Sequence, residues 1–419
     1  MKTNFVILIL ALLSACGGSK SGDRVEDSSG LLISKNQVFF EKFGEVQPVQ
    51  KSEIKKETLL KCTYVIERAD SCTLQELPLL GMNSKKITVD RIIGRTMVSH
   101  RFLGENFKAA LLKMSSEYLM QLFGSVGIIV ISDKVNPSFY NSRSGTIFIS
   151  ARYLWTTPEQ KKLATVKKDD RVVTGSGPKK APLKFEFYGL QVVDKKNIWS
   201  ASRDSSRTVE ELKLPLYRLL VHELAHANDY LPSSFYQNLG IDSYRKIGEL
   251  TLRRFKRFDL ISDSLLEPLE RESFMARLQK AINSSEGELF GQLLEMTAEL
   301  AGELFSNESA VDPYGHYTQN EDLAMLVEDL LGLHDYQIER IQGVISYPSL
   351  NFLIPEDYNY PLAWGQNNRI LEPTVLGRAM EAASQLFPSF NAVEFKSSLQ
   401  GFKLIQAEKG MGWREFRAL

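Results

Sequence analysis

The sequence predicts an α+β fold, in which a mainly helical domain carries a small mixed sheet on the N-terminal side of one long helix. Two apolar, β-branched runs predict strands, because VGIIVIS (126–132) and GTIFISARYLW (145–155) are separated by turn-forming Asn, Pro and Gly residues. Beyond about residue 208 the apolar residues recur at helical spacing. The predicted segments are helices at 242–258, 262–283, 286–306 and 321–334, then a mixed region at 350–419.

The segments around these strands are less regular. Residues 58–100 are mixed, and we expect them to be β-rich around two cysteines. The run ENFKAALLKMSSEYLMQLFG (105–124) has helical spacing and ends at a Gly, as many helices do. The stretch 161–184 is basic and contains Gly and Pro, which predicts an exposed loop.

The composition is that of a globular protein without a charge bias. The chain has 419 residues, of which 43% are hydrophobic, enough for one large or two modest domains. Lys and Arg number 51, and Asp and Glu also number 51. Because no net field would attract a polyanion, we expect no nucleic-acid partner.

The N-terminus has the features of an export signal. Lys2 precedes a short apolar stretch, Phe5 to Leu13, that is too short to cross a bilayer. The tetrad LSAC (13–16) resembles the bacterial lipoprotein processing box. That resemblance implies that residues 1–15 are a cleaved signal peptide and that acyl chains on Cys16 anchor the protein to a membrane. Gly17, rather than an Asp, follows Cys16, which resembles the outer-membrane sorting pattern of Gram-negative lipoproteins. That resemblance implies an outer-membrane location facing the periplasm. A plain secretion signal with an incidental Cys is the alternative.

Residues 16–57 predict a lipidated Cys and a flexible tether, because GGSKSGDRVEDSSG (17–30) has almost nothing to bury. We expect compact structure to start between residues 31 and 58. The remaining cysteines, Cys62 and Cys72, predict a disulfide in an oxidising compartment, plausibly across a hairpin. Two buried free thiols are the alternative.

The segment LPLYRLLVHELAHANDYLP (214–232) predicts the helix that carries the chemistry. Pro215 fits the first turn of a helix and Pro232 its end. Between them, His222, His226 and Asp229 are spaced so that they share one side of the helix.

Two imidazoles four residues apart can bind one Zn²⁺, and Glu223 beside the first is then placed as general base for a metal-activated water. The alternative is a core helix with hydrogen-bonded histidines. A catalytic site needs a third ligand, and Pro232 occupies the position where metzincins would have it. Two segments could supply a distant carboxylate instead. They are EMTAELAGE, with Glu295, Glu299 and Glu303, and EDLAMLVEDL, which begins at Glu321.

HELAHANDY (222–230) is similar to the H-E-F-[AG]-H-x-x-D pattern of the gluzincin-type peptidase family that includes anthrax lethal factor and the Mlc titration factor. In that family the third ligand is the first Glu of an E-F-F-A-type segment, which EDLAMLVE (321–328) resembles. The resemblance implies Glu321 as third ligand, with Glu299 as the fallback. It departs at Asp322, where the family has an aromatic residue, and in a longer gap between the two motifs.

The same resemblance implies two supporting roles. Asp229 would steady a ligand histidine or the following loop, and a polar residue at a helix end is the alternative. Tyr314 has the offset of a family tyrosine, so Tyr314, or its neighbour His316 or Tyr317, would donate a hydrogen bond to the oxyanion. Simple packing of an aromatic loop is the alternative.

Together these features predict a lipid-anchored zinc peptidase in residues 58–419, with a β-containing lobe at 58–205 and a helical lobe at 206–419. Its partner would be a peptide or protein substrate, held as an added strand on a sheet edge. SRSGTIFISA (142–151) is the candidate edge, and burial of this strand in the core is the alternative. Two other functions remain open: an envelope lipoprotein with a structural or relic metal site, and a zinc amidase acting on cell-wall peptides.

Overall fold

The structure is a computed structural model. It describes residues 44–65, 67–82, 86–114, 116–164, 183–199, 205–240, 243–283, 295–346 and 359–419. The predicted signal peptide, Cys16 and most of the predicted tether lie outside these residues, so those predictions remain predictions. The same holds for most of the predicted loop at 161–184.

The fold is α+β, as predicted. The helices are α1 (Lys56–Thr63), α2 (Val89–Gly94), α3 (Arg101–Lys113), α4 (Glu117–Leu122), α5 (Pro158–Ala164), α6 (Val209–Tyr230), α7 (Ser233–Tyr236), α8 (Ile247–Lys256), α9 (Phe274–Asn283), α10 (Ala298–Ser306), α11 (Gln319–Tyr336), α12 (Pro373–Leu386), α13 (Ala392–Leu399) and α14 (Trp413–Phe416). Within the described ranges, none of these helices has both the length and the apolar character needed to cross a bilayer.

The strands form two five-stranded sheets. They are β1 (Gln47–Pro48), β2 (Thr96–Val98), β3 (Ile128–Ser132), β4 (Phe139–Asn141), β5 (Thr146–Ser150), β6 (Phe185–Val193), β7 (Lys196–Asn197), β8 (Glu339–Ser346), β9 (Leu362–Asn367) and β10 (Ile405–Gln406). The first sheet has the order β1-β2-β3-β5-β4, and the second has the order β10-β9-β8-β6-β7.

The described residues up to 164, together with 205–258, form one compact unit around the first sheet. This sheet is mixed, because β2, β3 and β5 run parallel while β1 and β4 pair antiparallel at its edges. Every residue of β3 and β5 is buried, which explains why both strands are apolar without alternation. Helix α6 packs on β4 and β5 and on the helices α3 and α4. The predicted small mixed sheet N-terminal to the long helix is confirmed.

The second unit comprises the described residues within 183–199 and 259–419. Its sheet is antiparallel throughout, and β6 pairs with β8 over eight residue pairs, from Phe185–Ser346 to Val192–Glu339. Helix α10 packs on β8 and β9, and α11 packs on β8, α12 and α13. The core beside α10 includes Phe305 and Trp364, whose rings meet edge to face.

This division differs from the predicted lobes at 58–205 and 206–419. Strand β6 precedes α6 in the chain but pairs with β8, which follows α6, so a boundary at one point of the chain cannot separate the units. Strands β8, β9 and β10 also lie within the segment predicted as a helical lobe. At the other end, β1 pairs with β2, so compact structure begins before the predicted limit of the tether at residue 57.

Several local predictions were wrong. Residues 58–100 contain helices and only one short strand among the described residues, because Cys62 lies in α1 and not in a hairpin. The predicted helix 105–124 is two helices, α3 and α4, since Ser116 caps a new helix by accepting a hydrogen bond from the Leu119 N–H. Part of the predicted loop at 161–184 is helix α5.

The candidate edge strand at 142–151 was also wrong. Its regular part, β5, lies between β3 and β4, and the edge position belongs to the three-residue strand β4. Burial of β5 in the core, the alternative, is what the structure has.

Candidate metal centre

Helix α6 begins earlier than the sequence interpretation placed it. Thr208 caps the helix: its Oγ1 accepts from the Glu211 N–H at 3.2 Å, and the Glu211 carboxylate accepts from the Thr208 N–H at 2.8 Å. This reciprocal pair is a capping box, a well-known start signal. Pro215 therefore lies inside the helix and not in its first turn, which costs one backbone hydrogen bond. The predicted end before Pro232 is confirmed, because the helix stops at Tyr230.

The two histidines of the motif share one side of α6. The ring centroids of His222 and His226 are 4.9 Å apart and their planes are nearly perpendicular, at 87°. His222 is half-buried, while His226 and the intervening Glu223 are buried, with 4% and 6% of their surface exposed. The i, i+4 spacing thus places two imidazoles side by side, and Glu223 follows the first of them in the helix.

The end of α6 is held by a buried amide. Asn228 donates through Nδ2 to the carbonyl oxygens of Leu122 at 2.7 Å and Leu224 at 2.8 Å. Ser125 contacts Asn228 Oδ1 at 2.7 Å and the Leu231 carbonyl at 2.6 Å through its Oγ. These bonds tie the last turn of α6 to the end of α4 and to the turn that leads from α4 to β3. Sequence interpretation did not assign Asn228 a role; its position beside Asp229 on the last turn was the available signal.

Glu321 lies in the first turn of α11, in the second unit. Thr318 caps this helix, because its Oγ1 accepts from the Glu321 N–H at 3.1 Å. The Glu321 side chain is buried, with 2% of the residue exposed.

The start of α11 is anchored by an ion pair. Asp322, which stands where the family pattern has an aromatic residue, is paired with Arg378 of α12, and both side chains are about 1% exposed. Arg378 also donates to the carbonyl oxygens of Leu266 and Ser309, at 2.9 and 2.8 Å. Asp322 therefore helps to position the helix that carries Glu321.

Further along α11, a buried arginine joins the helix to β8. Arg340 donates through Nε to both carboxylate oxygens of Asp329, at 2.8 and 2.7 Å, and through its other nitrogens to Asp312 and Glu328. Burial raises the pKa of Asp329 to about 6, although the Arg340 charge acts in the opposite direction. Because three carboxylates share one guanidinium, this network holds α11 by charge as well as by packing.

The predicted ligands come together. One ligand atom each from His222, His226 and Glu321 lies within 4.8 Å of the other two, so these residues could hold a metal ion. The fallback ligand Glu299 belongs to no such group in the part of the chain that the structure describes. Glu299 and Glu303 are exposed on α10, and Glu295, just before this helix, is exposed as well. The grouping favours Glu321 over Glu299 as the third residue.

The three aromatic residues before Glu321 have different environments. Tyr314 and Tyr317 are partly exposed, and their rings stack with centroids 5.9 Å apart. His316 is 0% exposed and has its Nδ1 3.1 Å from the Glu308 carboxylate. Because His316 is fully buried beside Glu308, it is unsuited to bind a substrate oxyanion. Tyr314 remains the predicted donor.

His316 should make the protein sensitive to acid. Burial, followed by the positive charges of Arg271, Arg369 and Arg378, lowers the pKa of His316 to about 3. In an unfolded chain the ring titrates near 6.5. Between these values the unfolded chain binds a proton that the folded chain excludes, so the free energy of unfolding falls as the pH drops below 6.5. From pH 6.5 to about pH 5 the loss is about 2 kcal/mol.

This expectation can be checked with His316→Asn, which replaces the titrating ring by a neutral amide. Denaturant midpoints measured at about pH 7.5 and about pH 5 should fall less in the variant than in the wild type. The raised pKa of Asp329 acts in the opposite direction, since its protonation stabilises the folded chain as the pH falls. That contribution is common to both proteins and cancels in the comparison. Equal losses in the two proteins would contradict the assignment.

The remaining predicted residues have these positions. Cys62 and Cys72 form a disulfide with Cα atoms 5.6 Å apart. The predicted disulfide is therefore confirmed, and the alternative of two free thiols is wrong. Asp229 is fully buried in α6, three residues after His226. Its predicted role of steadying a ligand histidine stays a prediction.

Comparison with known proteins identifies no relative. No protein-family model matches the chain, no curated protein matches it, and no solved structure matches it. The similarity to the gluzincin-type peptidases therefore rests on the two short motifs, HELAHANDY and EDLAMLVE.

Proposed function

We propose that the protein is a zinc-dependent peptidase, with His222, His226 and Glu321 as the metal ligands. The observation that carries this proposal is the grouping of these three side chains around the H-E-x-x-H helix. Two imidazoles and one carboxylate are a ligand set used by catalytic zinc, and three protein ligands leave one coordination position for water or substrate. Structural zinc sites, in contrast, usually have four protein ligands.

The donor chemistry of the site fits zinc better than harder cations. Magnesium and calcium prefer oxygen ligands, whereas imidazole nitrogens suit zinc and other late transition metals. In the described part of the chain no further His, Cys, Asp or Glu joins the group, so the ligand set is not that of a closed four-residue site. A bound zinc ion would act as a Lewis acid that lowers the pKa of a water molecule to about 7.

Glu223 would then act as the general base. It is buried in α6 and directly follows His222, one of the proposed ligands. We propose that it accepts the proton of the attacking water and delivers it to the leaving amine. Tyr314 would donate a hydrogen bond to the substrate carbonyl oxygen as negative charge develops there.

We propose that an extended peptide binds along β4. This strand is an edge of the first sheet, and β5, the earlier candidate, is paired on both sides. Helix α6 packs on β4, and the ring of Tyr140 on β4 is 6.0 Å from that of Tyr230 at the end of α6. A peptide paired with this edge would therefore lie in the same unit as the two histidines. Main-chain hydrogen bonds would supply its affinity.

Removal of the metal tests the proposal. Purified protein should contain about one zinc per chain by elemental analysis and should cleave labelled casein and a mixture of internally quenched peptides. Treatment with 1,10-phenanthroline should abolish cleavage, and added zinc should restore it. Cleavage that persists in metal-free protein would refute the proposal. Stoichiometric zinc without cleavage of any peptide would instead support the alternative of a structural or relic site.

A further inference from the structure

Helix α8 carries a basic outer face that the proposed peptidase activity does not use. Arg253, Lys256 and Arg257 are exposed, and because they are three to four residues apart they lie on one side of the helix. Arg245, just before the helix, is also exposed. We call these four residues, together with the flanking Tyr244 and Phe258, the basic patch.

The opposite side of α8 is firmly attached to the first unit. Ile247 donates its N–H to the carbonyl of Cys72, and Gly248 donates its N–H to Ser71 Oγ, each at 3.0–3.1 Å. Thr251 Oγ1 donates to the Ser142 carbonyl at 2.7 Å, in the turn between β4 and β5. Gly145 in that turn has φ +68°, and a Cβ there would approach Ile247 to 3.0 Å. The basic side chains are thus presented outward by a helix that is fixed on its inner side.

The cations of the patch are not neutralised by ion pairs. Among the described residues, no carboxylate oxygen lies within 4.0 Å of Arg245, Arg253, Lys256 or Arg257. Elsewhere in this unit exposed cations do form such pairs, for example Lys61 with Glu76 and Lys108 with Asp90. The four cations therefore give this side of the helix a local positive charge, although the whole chain has a net charge of zero.

Two large aromatic side chains flank the cations. Tyr244 is 76% exposed and Phe258 is 81% exposed, and they are two of the three most exposed large hydrophobic residues in the described part of the chain. Aromatic rings beside exposed Lys and Arg are typical of surfaces that contact lipid, because rings partition into the interface while cations meet anionic headgroups. A solvated charged helix needs no such rings.

We propose that the basic patch binds an anionic phospholipid surface. The arrangement fits this partner because a bilayer offers negative charge and an apolar layer at adjacent depths, which match the cations and the exposed rings. Each Lys or Arg near such a surface adds several-fold to the partition coefficient, so four of them give weak, salt-dependent binding. Such binding would orient the first unit at a membrane. It is independent of the proposed peptidase activity.

The test uses the full chain with Cys16→Ser, so that no acyl chain anchors the protein. Flotation is measured with vesicles of phosphatidylcholine alone and with vesicles containing phosphatidylglycerol. Pure phosphatidylcholine vesicles report any contribution of the apolar run 5–13, which is the same in every variant. Triple substitution Arg253→Gln, Lys256→Gln and Arg257→Gln should lower binding to the anionic vesicles by about 100-fold. High salt should have a similar effect on the parent protein.

A matched control removes three exposed lysines of the second unit, Lys396→Gln, Lys403→Gln and Lys409→Gln. It makes the same charge change and should leave most of the binding to anionic vesicles intact.

The double substitution Tyr244→Ser and Phe258→Ser should weaken binding to the vesicles even in low salt. Equal losses in the control and the patch variant would overturn the proposal, as would binding that is insensitive to anionic lipid. Binding of polyglutamate or single-stranded DNA by the parent protein, without any retention on vesicles, would assign the patch to a soluble polyanion instead. Peptide hydrolysis is not measured, so neither result depends on the zinc site.

Discussion

Glu223→Gln should bind zinc as tightly as the wild type and lose at least about 1,000-fold of the peptide hydrolysis. Gln has nearly the shape of Glu, so the buried position in α6 is preserved, but its amide cannot accept the proton of the attacking water. Glu223 is not in the ligand group, which is why metal content should not change. Zinc content by elemental analysis and turnover of labelled casein measure the two quantities separately.

Glu210→Gln is the matched control, because Glu210 lies on the same helix but is exposed, and its ion pairs among the described residues are with Lys113 and Lys213. Exposed ion pairs contribute little to stability, so this variant should keep both zinc and hydrolysis. Hydrolysis by Glu223→Gln at the level of the control would exclude Glu223 as the base.

Glu321→Gln should lower the affinity for zinc by more than about 100-fold and abolish hydrolysis with it. Gln keeps the volume of the side chain and the hydrogen bond from the Glu321 backbone N–H to Thr318, so α11 should still start at the same residue. What it removes is the negative charge that would bind the metal. Competition with a zinc-indicator dye measures the affinity, and circular dichroism checks that the helices are retained.

Glu299→Gln serves as the comparison for this variant. Glu299 was the alternative ligand in sequence, and it is exposed on α10. Its substitution should leave zinc affinity and hydrolysis unchanged. Should Glu321→Gln bind zinc normally while Glu299→Gln does not, the ligand assignment would have to be exchanged. If neither variant changes zinc affinity, the proposed site is not where the metal binds.

The helix of the H-E-x-x-H motif shows how far local pattern is informative. The position of both histidines on one side of the helix and the end of the helix before Pro232 were correctly predicted, because both depend on neighbouring residues. Its start was placed at Pro215, although the capping box at Thr208 and Glu211 was readable as T-x-x-E. Proline is usually excluded from helix interiors, and that rule outweighed the cap. Burial of α6 on the sheet and on two other helices stabilises it in spite of the proline.

The strands illustrate the opposite case. The segments of β3 and β5 were predicted from their apolar, β-branched residues, but the position of β5 inside the sheet was not. Sheet order depends on which strands pair, and β4 is too short, at three residues, to leave a pattern. The second sheet was missed for the same reason, since β6 pairs with a strand about 150 residues later.

Composition and local spacing predict an α+β chain with two imidazoles four residues apart and a carboxylate between them in sequence. They also predict that the two neighbouring cysteines form a disulfide. These properties follow from residues within a few turns of one another. Only the tertiary structure shows that Glu321 is buried whereas Glu299 is exposed to solvent. The reason is physical: side-chain burial depends on contacts between segments distant in the chain, and no local pattern records those contacts.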